Sequence, residues 1–227
     1  MSAYNIIPNK VIYYDTPKCG STTVFAYANI INNPELLVDF NKLVDQHTDP
    51  IVAYYSCVKL NKQKYSRETT SARMLISGTD VPKECIEFCI VRDPVDRFIS
   101  VYKALILDGW LVKTNNPSID EFIKIIDSDK KYLKDWTELQ PEGWNVIKYH
   151  FLPLTKFLKK KPEKFDHIFN ITQLNDVKSF LEFHSNIKLP VFRLNKTKDV
   201  DIQPTERQIK WIKDRYSGDY RFYGKWM

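Results

Sequence analysis

Four short apolar runs punctuate the chain: KVIYYD (10–15), PIVAYYSCV (50–58), IEFCIV (86–91) and HIFNI (167–171). Each is rich in β-branched or aromatic residues and bounded by turn formers, so each predicts a strand. The stretches between them change period. Residues 22–32 place Val24, Tyr27, Ala28 and Ile31 on one helical face, and PVDRFISVYKALIL places Phe98, Val101, Tyr102 and Leu105 on another. SIDEFIKII opens with a capping-box pair, Ser118 and Glu121. DVKSFLEFH and PTERQIKWIKDRY also read as helices, the second with Pro204 near its start. Strands alternating with helices predict an α/β fold, a central, mainly parallel sheet flanked by helices. No repeat period and no low-complexity linker divides the chain, so one domain over residues 1–227 is expected.

Sheets of this kind bind ligands at the carboxyl ends of their strands. Two such places carry distinctive chemistry. After the first run comes TPKCGSTT (16–23). Pro17 constrains the turn, Gly20 tolerates φ > 0 and lets a ligand approach the backbone, and Ser21, Thr22 and Thr23 open the helix. The first backbone N–H groups of a helix have no intrahelical acceptor, and Lys18 adds a full positive charge. Together these make an anion cradle. A plain helix cap needs one hydroxyl, not a lysine and three hydroxyls. After the third run comes RDPVDRFISVY (92–102). Asp93 suits a helix cap and Pro94 a first helical residue. Arg92 can fork onto a phosphate, and Ser100, about 200° round the helix from Phe98, can add a hydrogen bond. Arg97 is expected to pair with Asp93. Two anion sites at neighbouring strand ends call for a ligand with two separated phosphate groups.

Composition narrows the partners. Over 227 residues the net charge is +6, which favours anions without selecting one. The lysines of KKKPEK (159–164) lack the interleaved arginines and aromatics of a nucleic-acid patch and read as a solvated loop. No nucleic acid is expected as partner. The four cysteines, Cys19, Cys57, Cys85 and Cys89, have neither redox-pair nor zinc-ligand spacing, so reduced thiols and no metal site are expected. No run of apolar residues is long enough for a membrane span, and MSAYNIIPNK lacks the layout of an export signal; a soluble, cytoplasmic protein is expected. The first turn departs from the nucleotide-triphosphate loop GxxxxGK[ST], because Lys18 precedes the turn's glycine and no clear aspartate completes a magnesium site. A kinase or NTPase is therefore the alternative reading, with a non-catalytic anion- or nucleic-acid-binding module as a third.

The pair TPKCGSTT and VRDPVDRFISVY resembles the fingerprint of the carbohydrate sulfotransferases, in which PKxGxT and RxPxxRxxSxY occur in this order. Weaker matches follow. YHFLPLTKFL (149–158) is similar to the family's HFxPQ segment, with Leu154 where glutamine is usual, and FRLNKTKD (192–199) to a loop near the nucleotide. The resemblance implies a P-loop-like three-layer sandwich. It implies 3′-phosphoadenosine-5′-phosphosulfate (PAPS) as sulfuryl donor, a hydroxyl acceptor of carbohydrate type, and no metal. Carried over, Pro17, Lys18, Gly20, Ser21, Thr22 and Thr23 would hold the 5′-phosphosulfate, Arg92 and Ser100 the 3′-phosphate, and Lys196 would close over the nucleotide.

In-line sulfuryl transfer needs alignment, charge neutralisation and a base. Lys18 is the candidate for neutralising the leaving oxygen. Relatives carry the base on or just after the second strand, where IVAYYSCVK offers neither His nor Glu. His150, in the segment that matches the family, is the first candidate base and His47 the second. His167 and His184 read as structural or exposed. Another base, or PAPS binding without transfer, is the alternative. Residues 59–80 and 103–145, with Trp110, Trp136 and Trp144, are expected to face the acceptor or to pack as core.

Overall fold

The computed structural model describes residues 3–45, 53–54, 56, 74–75, 81–104, 118–127, 149–191 and 201–227. They contain strands β1 (Ala3–Ile7), β2 (Val11–Tyr14), β3 (Met74–Leu75), β4 (Ile86–Val91) and β5 (His167–Asn170). The helices are α1 (Ser21–Asn32), α2 (Pro34–Asp45), α3 (Pro94–Tyr102), α4 (Ile119–Asp127), α5 (Leu154–Leu158), α6 (Leu174–Ser185), α7 (Glu206–Arg215) and α8 (Ser217–Tyr223). The fold is α/β, and the chain forms two compact units. One comprises Met1–Val91, Leu158–Lys196 and Trp226, and the other Arg92–Phe157, Thr197–Lys225 and Met227.

The first unit holds the sheet, in the order β3-β1-β2-β4-β5. β2, β4 and β5 run parallel, and β1 joins β2 as an antiparallel hairpin. Every residue of β2 is buried, as are the last four of β4. That is why both read as unbroken apolar runs rather than alternating ones. Register puts Tyr13 beside Phe88 and Phe88 beside His167 on one face. Helices α1 and α6 cover that face through Phe25, 6.0 Å from Tyr13, and Phe180, 5.3 Å from Phe88. β1 was not among the expected strands. Its signal is AYNII closed by Pro8, Asn9 and Lys10, with Asn9 at φ 57 and Lys10 N–H donating to the Ile7 carbonyl at 3.0 Å.

The run at 50–58 is not the expected strand. Ala53, Tyr54 and Ser56, its described residues, are helical. Ala53 and Tyr54 are buried, and Asn29 of α1 donates to the Tyr54 hydroxyl at 2.8 Å. A short apolar run suits a buried helix as well as a buried strand, and packing decides.

The second unit is built round Phe98, Val101, Tyr102, Ile119, Phe122, Phe151, Ile212 and Tyr216. Arg97 is 2% exposed in this unit. It does not serve Asp93 as expected: its guanidinium donates to the carbonyls of His150 (3.4 Å) and Leu152 (2.5 Å) and lies 5.4 Å from the Tyr216 ring. Asp93 instead caps α3, accepting from the N–H groups of Val95 (2.8 Å) and Asp96 (3.3 Å), and takes the Tyr220 hydroxyl at 2.9 Å. Asp219, fully buried, accepts from the N–H groups of Leu154 (2.8 Å) and Thr155 (3.0 Å), the first two residues of α5. Burial raises its carboxyl pKa against the opposing pull of those bonds. Among the described residues no helix is long and apolar enough to cross a membrane.

Phe88→Ala should lower the unfolding free energy by about 3–5 kcal/mol, read by chemical denaturation, because it empties the centre of the aromatic face. Asp219→Asn should cost about 1–3 kcal/mol in the same assay, since one amide N–H₂ would then oppose a buried backbone N–H.

Candidate active site

β2 and β4 are parallel neighbours, so their carboxyl ends share one edge of the sheet. The chain leaves β2 at Tyr14 and starts α1 at Ser21, reversing within residues 15–20. Thr16 anchors the reversal: it is fully buried, and its Oγ1 donates to the Ile90 carbonyl of β4 at 2.7 Å. The Thr16 carbonyl then accepts the Cys19 N–H at 3.2 Å. Cys19 is buried beneath the turn, its Sγ 3.7 Å from the Pro17 carbonyl. Pro17 is buried as well.

Two residues of the turn are left-handed, Lys18 at φ 63 and Gly20 at φ 87. Gly20 is also the helix cap and brings no side chain to cap α1, and the Gly20 carbonyl accepts the N–H groups of Thr23 (3.0 Å) and Val24 (3.2 Å). A Cβ on Gly20 would stand 2.9 Å from Ile171 Cδ1 and 3.1 Å from Leu174 Cδ2. Glycine is thus required twice, by conformation and by space. A lysine in the left-handed region costs about 1–3 kcal/mol and persists only where its surroundings over-determine it. The hydroxyls of the turn have different placements. Ser21 and Thr22 are half-buried and Thr23 is buried. Ser21 Oγ lies 2.5 Å from Asp15 Oδ1 and 3.1 Å from the Thr16 carbonyl.

The second motif begins where β4 ends. Arg92 follows Val91 directly and is half-buried, and Asp93 and Pro94 start α3 as the sequence implies. Ser100 is 5% exposed, more buried than its position opposite Phe98 predicts. In the second unit His150 is half-buried, its ring edge-on to Tyr149 at 5.6 Å and its carbonyl taken by Arg97. His47, Lys196, Trp110, Trp136 and Trp144 lie outside the described residues. His167 starts β5, its ring 4.9 Å from Phe180, and the carbonyl of His184 accepts from Lys10 Nζ at 2.8 Å. Both therefore belong to the aromatic layer and the end of α6. Cys19, Cys85 and Cys89 are buried thiols outside any disulfide, and burial pushes the Cys89 thiol up. No metal-binding cluster of three or more His, Cys, Asp or Glu side chains occurs among the described residues.

The family model of the sulfotransferases matches residues 7–225 and so includes both motifs. The chain belongs to the sulfotransferase family. It is accordingly a transferase of sulfuryl groups, with a sulfuryl donor and an acceptor as substrates. No curated protein and no solved structure matches the chain. Sequence reasoning had missed Asp15, Ile171 and Leu174 as parts of the turn and had given Thr16, which opens it, no role. For Asp15 and Thr16 the signal was adjacency to PKCGST; for Ile171 and Leu174 there was none, since they reach Gly20 through the fold.

Gly20→Ala should destabilise the sulfotransferase by about 1–2 kcal/mol through its left-handed backbone alone, and by more through the Ile171 contact. Adding Ile171→Val, which removes Cδ1, should recover the steric part and leave the conformational one. Thermal denaturation of the two variants measures both.

Proposed function

We propose that the chain transfers the sulfuryl group of PAPS to a hydroxyl of a glycan or glycan-like acceptor. The observation that carries this reading is the turn at the carboxyl end of β2. It places a lysine and a glycine in left-handed conformations just before a helix N-terminus whose cap residue is that glycine. Such a terminus favours an anion through its N–H groups and its dipole. The turn coincides with the family motif PKxGxT, which supports the 5′-phosphosulfate as the anion. Arg92 and Ser100 are assigned to the 3′-phosphate on the strength of the second motif. The family match spans both compact units, which supports reading the chain as one catalytic module.

In the transfer, the acceptor oxygen forms a bond to sulfur as the bond from sulfur to the bridging oxygen breaks. Adenosine 3′,5′-bisphosphate leaves with the charge that develops on that oxygen. Lys18 neutralises it, and the helix N-terminus adds fixed partial positive charge. The acceptor proton passes to a base, for which His150 is the first candidate and His47 the second.

The test is Lys18→Gly. Glycine accepts the φ of this position without steric cost, so the variant should melt within a few degrees of the wild type. PAPS-dependent transfer should fall by about 10²–10³, the usual loss when one charge-stabilising group is removed. A folded Lys18→Gly protein with undiminished transfer would overturn the assignment. A thermal shift with ADP and Mg²⁺ but none with adenosine 3′,5′-bisphosphate would favour a nucleoside-triphosphate enzyme instead.

A further inference from the structure

The family motif assigns the hydroxyls of the turn to the donor as a group, but Ser21 is engaged elsewhere. Its oxygen carries one proton and two lone pairs. The 2.5 Å separation from Asp15 Oδ1 is that of a charge-assisted hydroxyl–carboxylate bond, about 2.5–2.7 Å. The Thr16 carbonyl, at 3.1 Å, is the weaker acceptor for the same proton. On the other side, the Tyr13 hydroxyl donates to Ser21 Oγ at 3.5 Å. Tyr13 is fully buried, and burial, followed by the nearby Asp15 carboxylate, raises its pKa well above the ordinary range, so it keeps its proton. The relay therefore runs from Tyr13 to Ser21 to Asp15. It joins the end of β2 to the first residue of α1 and closes the turn across its base.

Resting on the PAPS reading above, we propose that Asp15 is a positioning residue for the donor turn: it accepts the Ser21 hydrogen bond and locks residues 15–21 in their anion-binding shape. Ser21 then acts as a latch and not as a phosphate ligand. Thr23 is 1% exposed and belongs to the buried side of α1. Asp15 brings a negative charge close to an anion site. That is a cost to binding unless its hydrogen bond to Ser21 contributes more by ordering the turn than its charge removes.

The two possibilities differ in sign. As a latch, Ser21→Ala and Asp15→Ala should each weaken binding of adenosine 3′,5′-bisphosphate about tenfold, and the double variant should be no weaker than the worse single one. Asp15→Asn keeps a carbonyl oxygen for the Ser21 proton and should bind within threefold of the wild type. With PAPS as substrate, kcat/KM should fall about tenfold or more in the two alanine variants and recover to within threefold of the wild type in Asp15→Asn, a pattern that a general loss of folding would not produce. Calorimetry and steady-state kinetics read all of these. If Ser21 touches the donor directly, Ser21→Ala weakens binding, while Asp15→Ala and Asp15→Asn tighten it by removing the negative charge. That result, or additive losses in the double variant, or an Asp15→Asn as weak as Asp15→Ala, would overturn the proposal. Should Asp15→Ala fail to fold, Ser21→Ala and Asp15→Asn still decide between the two. A wild-type protein that binds no adenosine 3′,5′-bisphosphate would overturn the donor assignment itself, and the latch with it.

Discussion

The hydrogen bond from Thr16 Oγ1 to the Ile90 carbonyl is the contact on which the candidate site depends. A chain that leaves a buried strand and starts a helix after only six intervening residues must reverse in little space. It does so with two left-handed residues, one of them a lysine. Such a turn costs conformational energy, which neighbouring contacts must offset. Thr16 supplies one by pinning the turn to β4, Cys19 another by burying its thiol beneath it, and Ile171 and Leu174 close it from the β5 side. The turn is thus held by β4 and by residues that follow β5 as well as by its own residues.

The sheet in turn depends on aromatic packing. Tyr13, Phe88 and His167 lie in register across β2, β4 and β5, and α1 and α6 press Phe25 and Phe180 onto them. Each ring removes a large apolar area from water and meets its neighbours edge-on or tilted, the geometry that aromatic quadrupoles favour. The end of α1 that opens the site is therefore fixed at its other turns by the sheet. Helix position, strand register and turn shape are one mechanical unit, so a small displacement in the aromatic layer would reach Lys18 and Thr22.

Polar groups in the second unit show how a motif residue can serve the fold. Arg97 occupies the second arginine position of RxPxxRxxSxY, yet it satisfies two backbone carbonyls and stacks near Tyr216. Asp219 does the complementary work for the N–H groups that open α5. Both are buried, and both settle backbone groups that would otherwise be costly to remove from water. The segment carrying His150 is positioned by these contacts.

Much of this was legible in the residues alone. Period and composition placed β2, β4, β5 and the helices α1, α3, α4, α6 and α7, because buried parallel strands and amphipathic helices impose patterns that a single chain must carry locally. The turn between β2 and α1 was legible for the same reason: a proline and a glycine between an apolar run and a helical pattern mark a chain reversal. What the sequence could not determine was set by partners distant along the chain. Ala53 and Tyr54 are helical because packing, not periodicity, decides a short apolar run. Arg97 turned from Asp93 to the carbonyls of residues more than fifty positions away. Ser21 Oγ hydrogen-bonds Asp15, a neighbour that becomes one only when the turn closes. Local sequence determined which elements form and which chemistry they carry; the tertiary structure decided which hydrogen-bonding groups remain for function, because a proton can serve one strong acceptor at a time and the fold brings the nearest one.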